Sequence, residues 1–245
     1  MKRFENIAHR GASAQAPENT LSAIRAAIAM GADMVELDLQ MSRDGQIVVF
    51  HDADLSRTAG VRGRVGEKNL QELKCLDVGG WFHRSFEGER VPTLEEVLSE
   101  SRGKVRLDLE LKERSDAPRV FEEKLIDVLN REGMVEEVLI SSFHWEMLRH
   151  VREIHPRIEI GLLCRNRDGV FAEAAASAAS TAIYPRRLAR KETIRETHEK
   201  GLRCYVYTVN DPDEMLRCVN DGVDGICTDF PDRLNTLLRD LLPLC

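Results

Sequence analysis

The chain has 245 residues, 42% of them hydrophobic and 31% charged, and a formal net charge of -7. That length suits one α/β barrel, which takes about 250 residues, and no apolar run approaches the ~18 residues of a membrane span. The acidic balance disfavours a nucleic-acid binder; the basic cluster YPRRLARK is a local exception and reads as a solvated helix start.

In chain order, the opening MKRFENIAHRG has basic residues but no apolar stretch and no small-residue cleavage site behind them, so no export signal is expected and the cytoplasm is the expected compartment. FENIA reads as a first strand and residues 19–30 as a helix, which makes HRGASAQAPENT a strand-to-helix loop, where α/β enzymes keep their chemistry. MVELDLQM and QIVVFH follow as strands. Only Ser42, Arg43, Asp44 and Gly45 separate them, too few for a parallel crossover and right for a hairpin. Residues 54–90, including the aromatic motif GGWFHRSF, show no clear periodicity and read as an insertion over one end of the fold. From VPTLEEVLSES onward, helices alternate with the strands KVRLDLELK, EVLISSF, IEIGLLC, TAIY, LRCYVYTV and GICTD. Setting aside the hairpin's second strand leaves about eight parallel strands, the number that closes a TIM (β/α)8 barrel. An open doubly wound sheet is the alternative, but the chain lacks its glycine-rich dinucleotide fingerprint. The six cysteines, at 75, 164, 204, 218, 227 and 245, show no ligand-like spacing and read as buried reduced thiols.

Charge inside strands carries the functional signal. Alternate strand residues share a face, so Glu36, Asp38 and Gln40 point one way and Val35, Leu37 and Leu39 the other. The split recurs with Asp108, Glu110 and Lys112 opposite Leu107, Leu109 and Leu111. Two strands thus aim acids at the barrel axis. Carboxylates removed from water cost several kcal/mol each unless neutralised, and three from two strands suit a hard divalent cation with oxygen ligands. With the turn at residues 42–45, Met41 opposes Gln46 and, counting back, Glu36 opposes His51, which puts His51 on the acid-lined face. His9, ending the first strand, approaches the same rim; His83, His144, His150, His155 and His198 read as surface or structural residues. Two histidines flanking a cation, with Arg10 and Lys112 nearby, describe a site for cleaving a phosphate ester. One imidazole accepts a proton from the nucleophile and the other donates one to the leaving alkoxide. Arg10 can grip phosphate oxygens with two parallel donors, and Lys112 adds a point charge.

With these residues assembled, the sequence resembles the glycerophosphodiester phosphodiesterase family from end to end: HRG, PENT, VELDLQMSRDGQIVVFHD, VPTLEEVL, LDLELK, ISSF, YVYTVN and GVDGICTDFPD look like that family's ordered blocks. The resemblance implies a single TIM-barrel domain over residues 1–245 with a small insertion after the hairpin. It implies that Glu36, Asp38 and Glu110 bind one divalent metal ion, Mg2+ or Ca2+, that His9 and His51 are the catalytic acid and base, and that Arg10 and Lys112 contact phosphate. Asn19 would be a helix-start and supporting residue. The implied reaction is hydrolysis of a glycerophosphodiester, such as glycerophosphocholine or glycerophosphoethanolamine, to glycerol 3-phosphate and an alcohol. Tyr207 stands where many members of the family have tryptophan, and with Phe143 it is expected to wall the pocket. Two alternatives remain open at this point. A lysophospholipase D would need an apolar collar, which only GGWFHRSF could supply, and a non-catalytic binding protein would have no use for paired proton-transfer groups.

Overall fold

A computed structural model describes residues 4–112 and 119–241. Its elements run β1 (Glu5–His9), α1 (Leu21–Ala29), β2 (Met34–Met41), β3 (Ile47–Val49), α2 (Ser56–Ala59), α3 (Leu70–Lys74), α4 (Leu94–Ser101) and β4 (Arg106–Leu111). They continue through α5 (Val120–Glu132), β5 (Val138–Ser142), α6 (Trp145–Ile154), β6 (Glu159–Leu163), α7 (Val170–Ser177), β7 (Thr181–Pro185), α8 (Lys191–Glu199), β8 (Arg203–Tyr207), α9 (Pro212–Asp221), β9 (Gly225–Thr228) and α10 (Pro231–Leu241). The nine strands form one sheet, in which β1 pairs in parallel with both β2 and β9. That double pairing closes eight parallel strands into a barrel and leaves β3, antiparallel to β2, outside the ring.

The strands are buried on both faces, as a ring covered by helices requires. Val35, Leu37, Leu39, Leu107, Leu109 and Leu111 face outward into one core with Ile24, Leu98, Phe121 and Leu125 of the helices. Inside the ring a smaller apolar plug of Ile7, Met34, Leu139, Ile183, Tyr205 and Cys227 fills the lower barrel. Beneath it Glu5 accepts from Arg106 (3.2 Å) and Arg203 (2.9 Å), which neutralises the one acid at that end of β1. Above the plug the interior turns polar.

β3 has two apolar faces. Ile47 and Val49 join the main core, while Val48 and Phe50 join Leu55, Val65, Leu73, Val78 and Val91 in a separate cluster. This second core joins β3 and Val91 to residues 54–90, where the short helices α2 and α3 and two 3-10 turns lie, and the chain returns to β3 through a bridge between Val48 and Thr93. In the aromatic motif Trp81 is 45% exposed, its indole N–H donating to the Val78 carbonyl, while Phe82 packs edge-on against both Trp81 and Phe86.

Three expectations are corrected by the structure. Met41 opposes Ile47, not Gln46, so the hairpin register is one residue away from that expected. Ser42 accounts for the shift: its N–H bonds the Gln46 carbonyl, so that Gln46 faces Ser42 and not Met41, and its hydroxyl accepts from the Gln46 N–H in place of a carbonyl, which ends the regular ladder at Met41 and Ile47. Helix α1 starts at Leu21, because Thr20 is the residue whose side chain caps it, accepting from the Ala23 N–H at 3.2 Å. Of the cysteines, Cys164, Cys204, Cys218 and Cys227 are free and buried but Cys75 is exposed, and Cys245 lies outside the described residues.

Candidate active site

Strand register brings the two histidines together. β1 climbs to His9, which pairs with Glu36; on the same edge of β2, β3 descends until the Phe50 N–H bonds the Asp38 carbonyl at 2.9 Å. His9 and His51 therefore arrive from opposite directions at neighbouring levels of β2. His51 stands beyond the ladder, so cross-strand pairing does not aim it. Gln40 does: its buried amide donates to the carbonyls of Phe50 (2.8 Å), His51 (3.1 Å) and Asp52 (2.8 Å), fixing the turn that carries the imidazole.

Both rings are oriented by carboxylates. His9 Nδ1 lies 2.6 Å from Asp229 Oδ1, and His51 Nδ1 lies 2.6 Å from Asp52 Oδ1. Burial works to raise Asp229, but bonds from His9, Asn210 and Ser13 outweigh it and hold the acid below the usual carboxylate range. Asp52 is likewise lowered: burial opposes ionisation, and Arg57 and His51 overcome it. An ionised carboxylate only accepts, so in each pair Nδ1–H donates and Nε2 is left to the cavity. Burial also lowers the His51 pKa, with Asp38 opposing and Arg10 and Lys112 adding to the effect.

Between the rings stand the acids. Glu36, Asp38 and Glu110 are 7%, 1% and 7% exposed, with carboxylate oxygens within 4.8 Å of one another. Asn19 grips Asp38 from both sides, donating from Nδ2 to Oδ2 (2.6 Å) and accepting from the Asp38 N–H (3.1 Å). Lys112 Nζ lies 2.8 Å from Asp38 Oδ1 and 2.7 Å from Glu110 Oε1, and Arg10 Nε is 3.4 Å from Asp38 Oδ2. Burial opposes ionisation of Asp38, yet Lys112 and Arg10 hold it well below the carboxylate range. Glu36 and Glu110 go the other way: burial and the neighbouring acids raise Glu36, and burial with Asp38 raises Glu110 to about 7. Deeper, Asp108 accepts from the Ser141 hydroxyl at 2.6 Å and is pushed by burial to about 7.

The donor set fits a hard cation. Asp38 Oδ1 is buried and meets only the Lys112 ammonium among the described residues, and Glu36 accepts through Oε2 from the Arg10 N–H at 2.9 Å. Oxygen atoms thus remain to ligate at 4.8 Å or less from one another, and a divalent ion there would offset the burial cost of the acids.

The loop bearing His9 and Arg10 is held by a close approach. Gly11 has φ +84, and a Cβ there would fall 2.6 Å from Ala23 Cβ on α1. Arg10 donates to Glu18 (2.8 Å), Glu18 accepts twice from Arg57 (2.8 and 2.7 Å), and Arg57 reaches Asp52 (2.5 Å), so an ion-pair chain links the two histidine loops.

These residues line a cavity of about 680 Å³, counted out to its mouth, whose apolar wall is Ile7, Phe143, Leu163, Ile183, Tyr207 and Cys227. The structure brings together every residue singled out from the sequence: His9, Arg10, Glu36, His51, Glu110, Lys112, Phe143 and Tyr207 line the cavity and Asp38 pairs with Arg10 and Lys112. Phe143 and Tyr207 meet edge to face at 6.2 Å, and the Tyr207 hydroxyl donates to the Cys164 carbonyl at 3.2 Å. Sequence reasoning missed Asp52, Asp229 and the part played by Gln40. It also read His144 as peripheral, whereas that residue lines an adjoining recess with His51 and Glu110.

The profile of the Glycerophosphoryl diester phosphodiesterase family matches residues 9–233. The glycerophosphodiester phosphodiesterase of Caldanaerobacter subterraneus subsp. tengcongensis is 37% identical over 235 residues, covering 95% of this chain and 97% of that protein. Among solved structures, the glycerophosphodiester phosphodiesterase from Agrobacterium tumefaciens superposes with a TM-score of 0.84 at 32% identity, over 96% of this chain and 100% of that one. A phosphodiesterase from Oleispira antarctica, solved with the product sn-glycerol-3-phosphate, superposes with a TM-score of 0.91 at 29% identity, over 95% and 96% of the two chains.

Proposed function

The chain belongs to the glycerophosphoryl diester phosphodiesterase family, and from that membership and the site geometry we propose that it hydrolyses glycerophosphodiesters to glycerol 3-phosphate and an alcohol. The observation that carries the reading is the pair of imidazoles, each with Nδ1 fixed by an aspartate, on either side of three buried carboxylates. Such an arrangement presents two Nε2 atoms for proton transfer across one reacting centre.

Glu36, Asp38 and Glu110 hold one divalent ion, Mg2+ or Ca2+. When bound, it withdraws charge from the non-bridging phosphate oxygens. Arg10 and Lys112 orient the phosphate, and the apolar wall of Ile7, Leu163, Ile183 and Tyr207 receives the glycerol carbons and keeps water from the opposite side. One of His9 and His51 takes the proton of the attacking nucleophile, which is water or a glycerol hydroxyl whose cyclic phosphate water then opens, and the other protonates the departing alkoxide. The barrel works as one unit over residues 1–245, with 54–90 as an insertion, on soluble small-molecule esters in the cytoplasm. No helix among the described residues is long and apolar enough to cross a membrane.

A coupled assay for glycerol 3-phosphate release from glycerophosphoethanolamine tests this. Wild-type protein with Mg2+ or Ca2+ should turn over, and His9→Ala and His51→Ala should each lose about 10²–10⁴-fold in kcat, the range for a general acid or base. Full rates in metal-stripped protein, or in both histidine variants, would overturn the reading.

A further inference from the structure

The cavity continues sideways into a recess walled by Gln40, Ala53, His144 and Arg165, with His51, Glu110, Lys112 and Phe143 shared between the two spaces. Glycerol filling the apolar side leaves this recess for the departing alcohol. Its charge is one-sided: among the described residues Glu110 is the only carboxylate on its walls, and Lys112 already pairs with it at 2.7 Å. On its walls the Arg165 guanidinium lies 4.6 Å over the Phe143 ring, so a cation of the protein itself already stacks on the aromatic ring of the recess. Tyr207 offers no substitute face there, because it lines the main cavity and not this recess.

A second cation joins the first. Arg187 Nη2 donates to the Arg165 carbonyl at 2.6 Å, tying the loop after β7 to the loop after β6. Both side chains are exposed, and neither has a carboxylate partner among the described residues, whereas their neighbours Arg167 and Arg186 pair with Glu196 and Glu214. Arg10 and Lys112, at the phosphate, are also committed to acids. A guanidinium without an acid partner on the wall of the recess, with a second one tied to its backbone, favours an anion there, and the planar fork matches phosphate oxygens in particular. A quaternary ammonium would meet the same field as repulsion and would find the aromatic face it needs already taken.

We propose that Arg165 and Arg187 form an anion-selecting rim for the leaving alcohol, so that among glycerophosphodiesters the preferred substrates carry a phosphate monoester on that alcohol and choline esters are poor ones. This rests on the hydrolase reading above and goes further by ranking head groups. The test compares kcat/KM for glycerophosphoinositol 4-phosphate and glycerophosphocholine on the same protein preparation, at low salt and at high salt. Wild type should favour the phosphorylated ester at least tenfold, and the preference should shrink as salt screens the exposed rim. Arg165→Glu should cut the ratio at least tenfold, with Arg187→Glu doing so less, while Arg165→Lys restores part of it. Because each ratio is taken within one preparation, partial misfolding cancels. A wild-type ratio near one or favouring choline, or a ratio that neither charge reversal moves, overturns the rim. Release from neither ester would instead sink the hydrolase reading, and calorimetric titration of the two esters into wild type and Arg165→Glu would then decide the rim: tighter binding of the phosphorylated ester, weakened by the reversal, supports it, and equal binding refutes it.

Discussion

His9 and Asp229 are the pair on which proton transfer at one side of the site depends. The carboxylate is itself held, with Ser13 donating to Oδ1 at 3.0 Å and Asn210 to Oδ2 at 2.6 Å, so it presents a fixed acceptor to Nδ1. Asp229→Asn leaves the shape but lets the side chain turn a donor toward the ring, which frees the wrong nitrogen for chemistry. Its kcat should fall about 10²-fold or more with KM little changed; a change confined to KM would show that Asp229 serves binding instead. The same residue carries a pH signature. Its folded pKa is depressed, so its contribution to stability is present above the unfolded pKa and is lost as pH falls through the folded one. Urea midpoints should therefore show wild type losing its advantage over Asp229→Asn as pH drops from about 5 to about 3. Nothing local announced this residue: it lies 220 positions from His9 and meets it only because β9 closes against β1. His9 itself was legible as the last residue of a strand, and the acids as polar positions in otherwise apolar alternation.

At the scale of elements, the strands were legible because leucine and β-branched runs recur with a period of two, but the register of the hairpin was not. A loop of residues 42–45 and one that also takes in Gln46 both satisfy the sequence pattern, and the choice between them falls to the Ser42 bonds. The error would have turned every facing assignment over, yet His51 still reaches the cavity, since its position is set by the descent of β3 onto the end of β1 and by Gln40. Gln40→Leu should therefore separate the two contributions. It removes the donor shared by three carbonyls without changing the ladder, and leaving buried acceptors unmet costs about 1–3 kcal/mol. Denaturation should show a loss of that order together with at least a tenfold fall in kcat/KM as the His51 turn loosens. A variant as active as wild type would mean that the Asp52–Arg57–Glu18 ion pairs hold the turn unaided.

For the whole molecule, alternation of strand and helix made the barrel legible, whereas the second core that residues 54–90 build against β3 was not, because helices as short as Ser56–Ala59 and Leu70–Lys74 end before a 3.6-residue period can register. Closure is also what concentrates charge: with β2 and β4 as neighbours, Glu36 pairs with Asp108 and Asp38 with Glu110, and all four face the axis above an apolar plug. Among the described residues Lys112 and Arg10 answer the upper acids and Arg106 acts on Asp108, yet Glu36, Glu110 and Asp108 stay raised, so the metal-free protein keeps acids in a place that favours neutral groups. A divalent ion that binds the folded chain alone must then raise its stability, by about 2.7 kcal/mol at a hundredfold excess over Kd. For a chain of this size that corresponds to a rise in Tm of roughly 5–10 °C when Mg2+ or Ca2+ is added to stripped protein. Glu36→Gln should lose most of the rise, and Trp81→Ala, a change at an exposed aromatic of the insertion, should keep it. No rise with either ion, or an equal rise in Glu36→Gln, would show that the triad does not hold the cation.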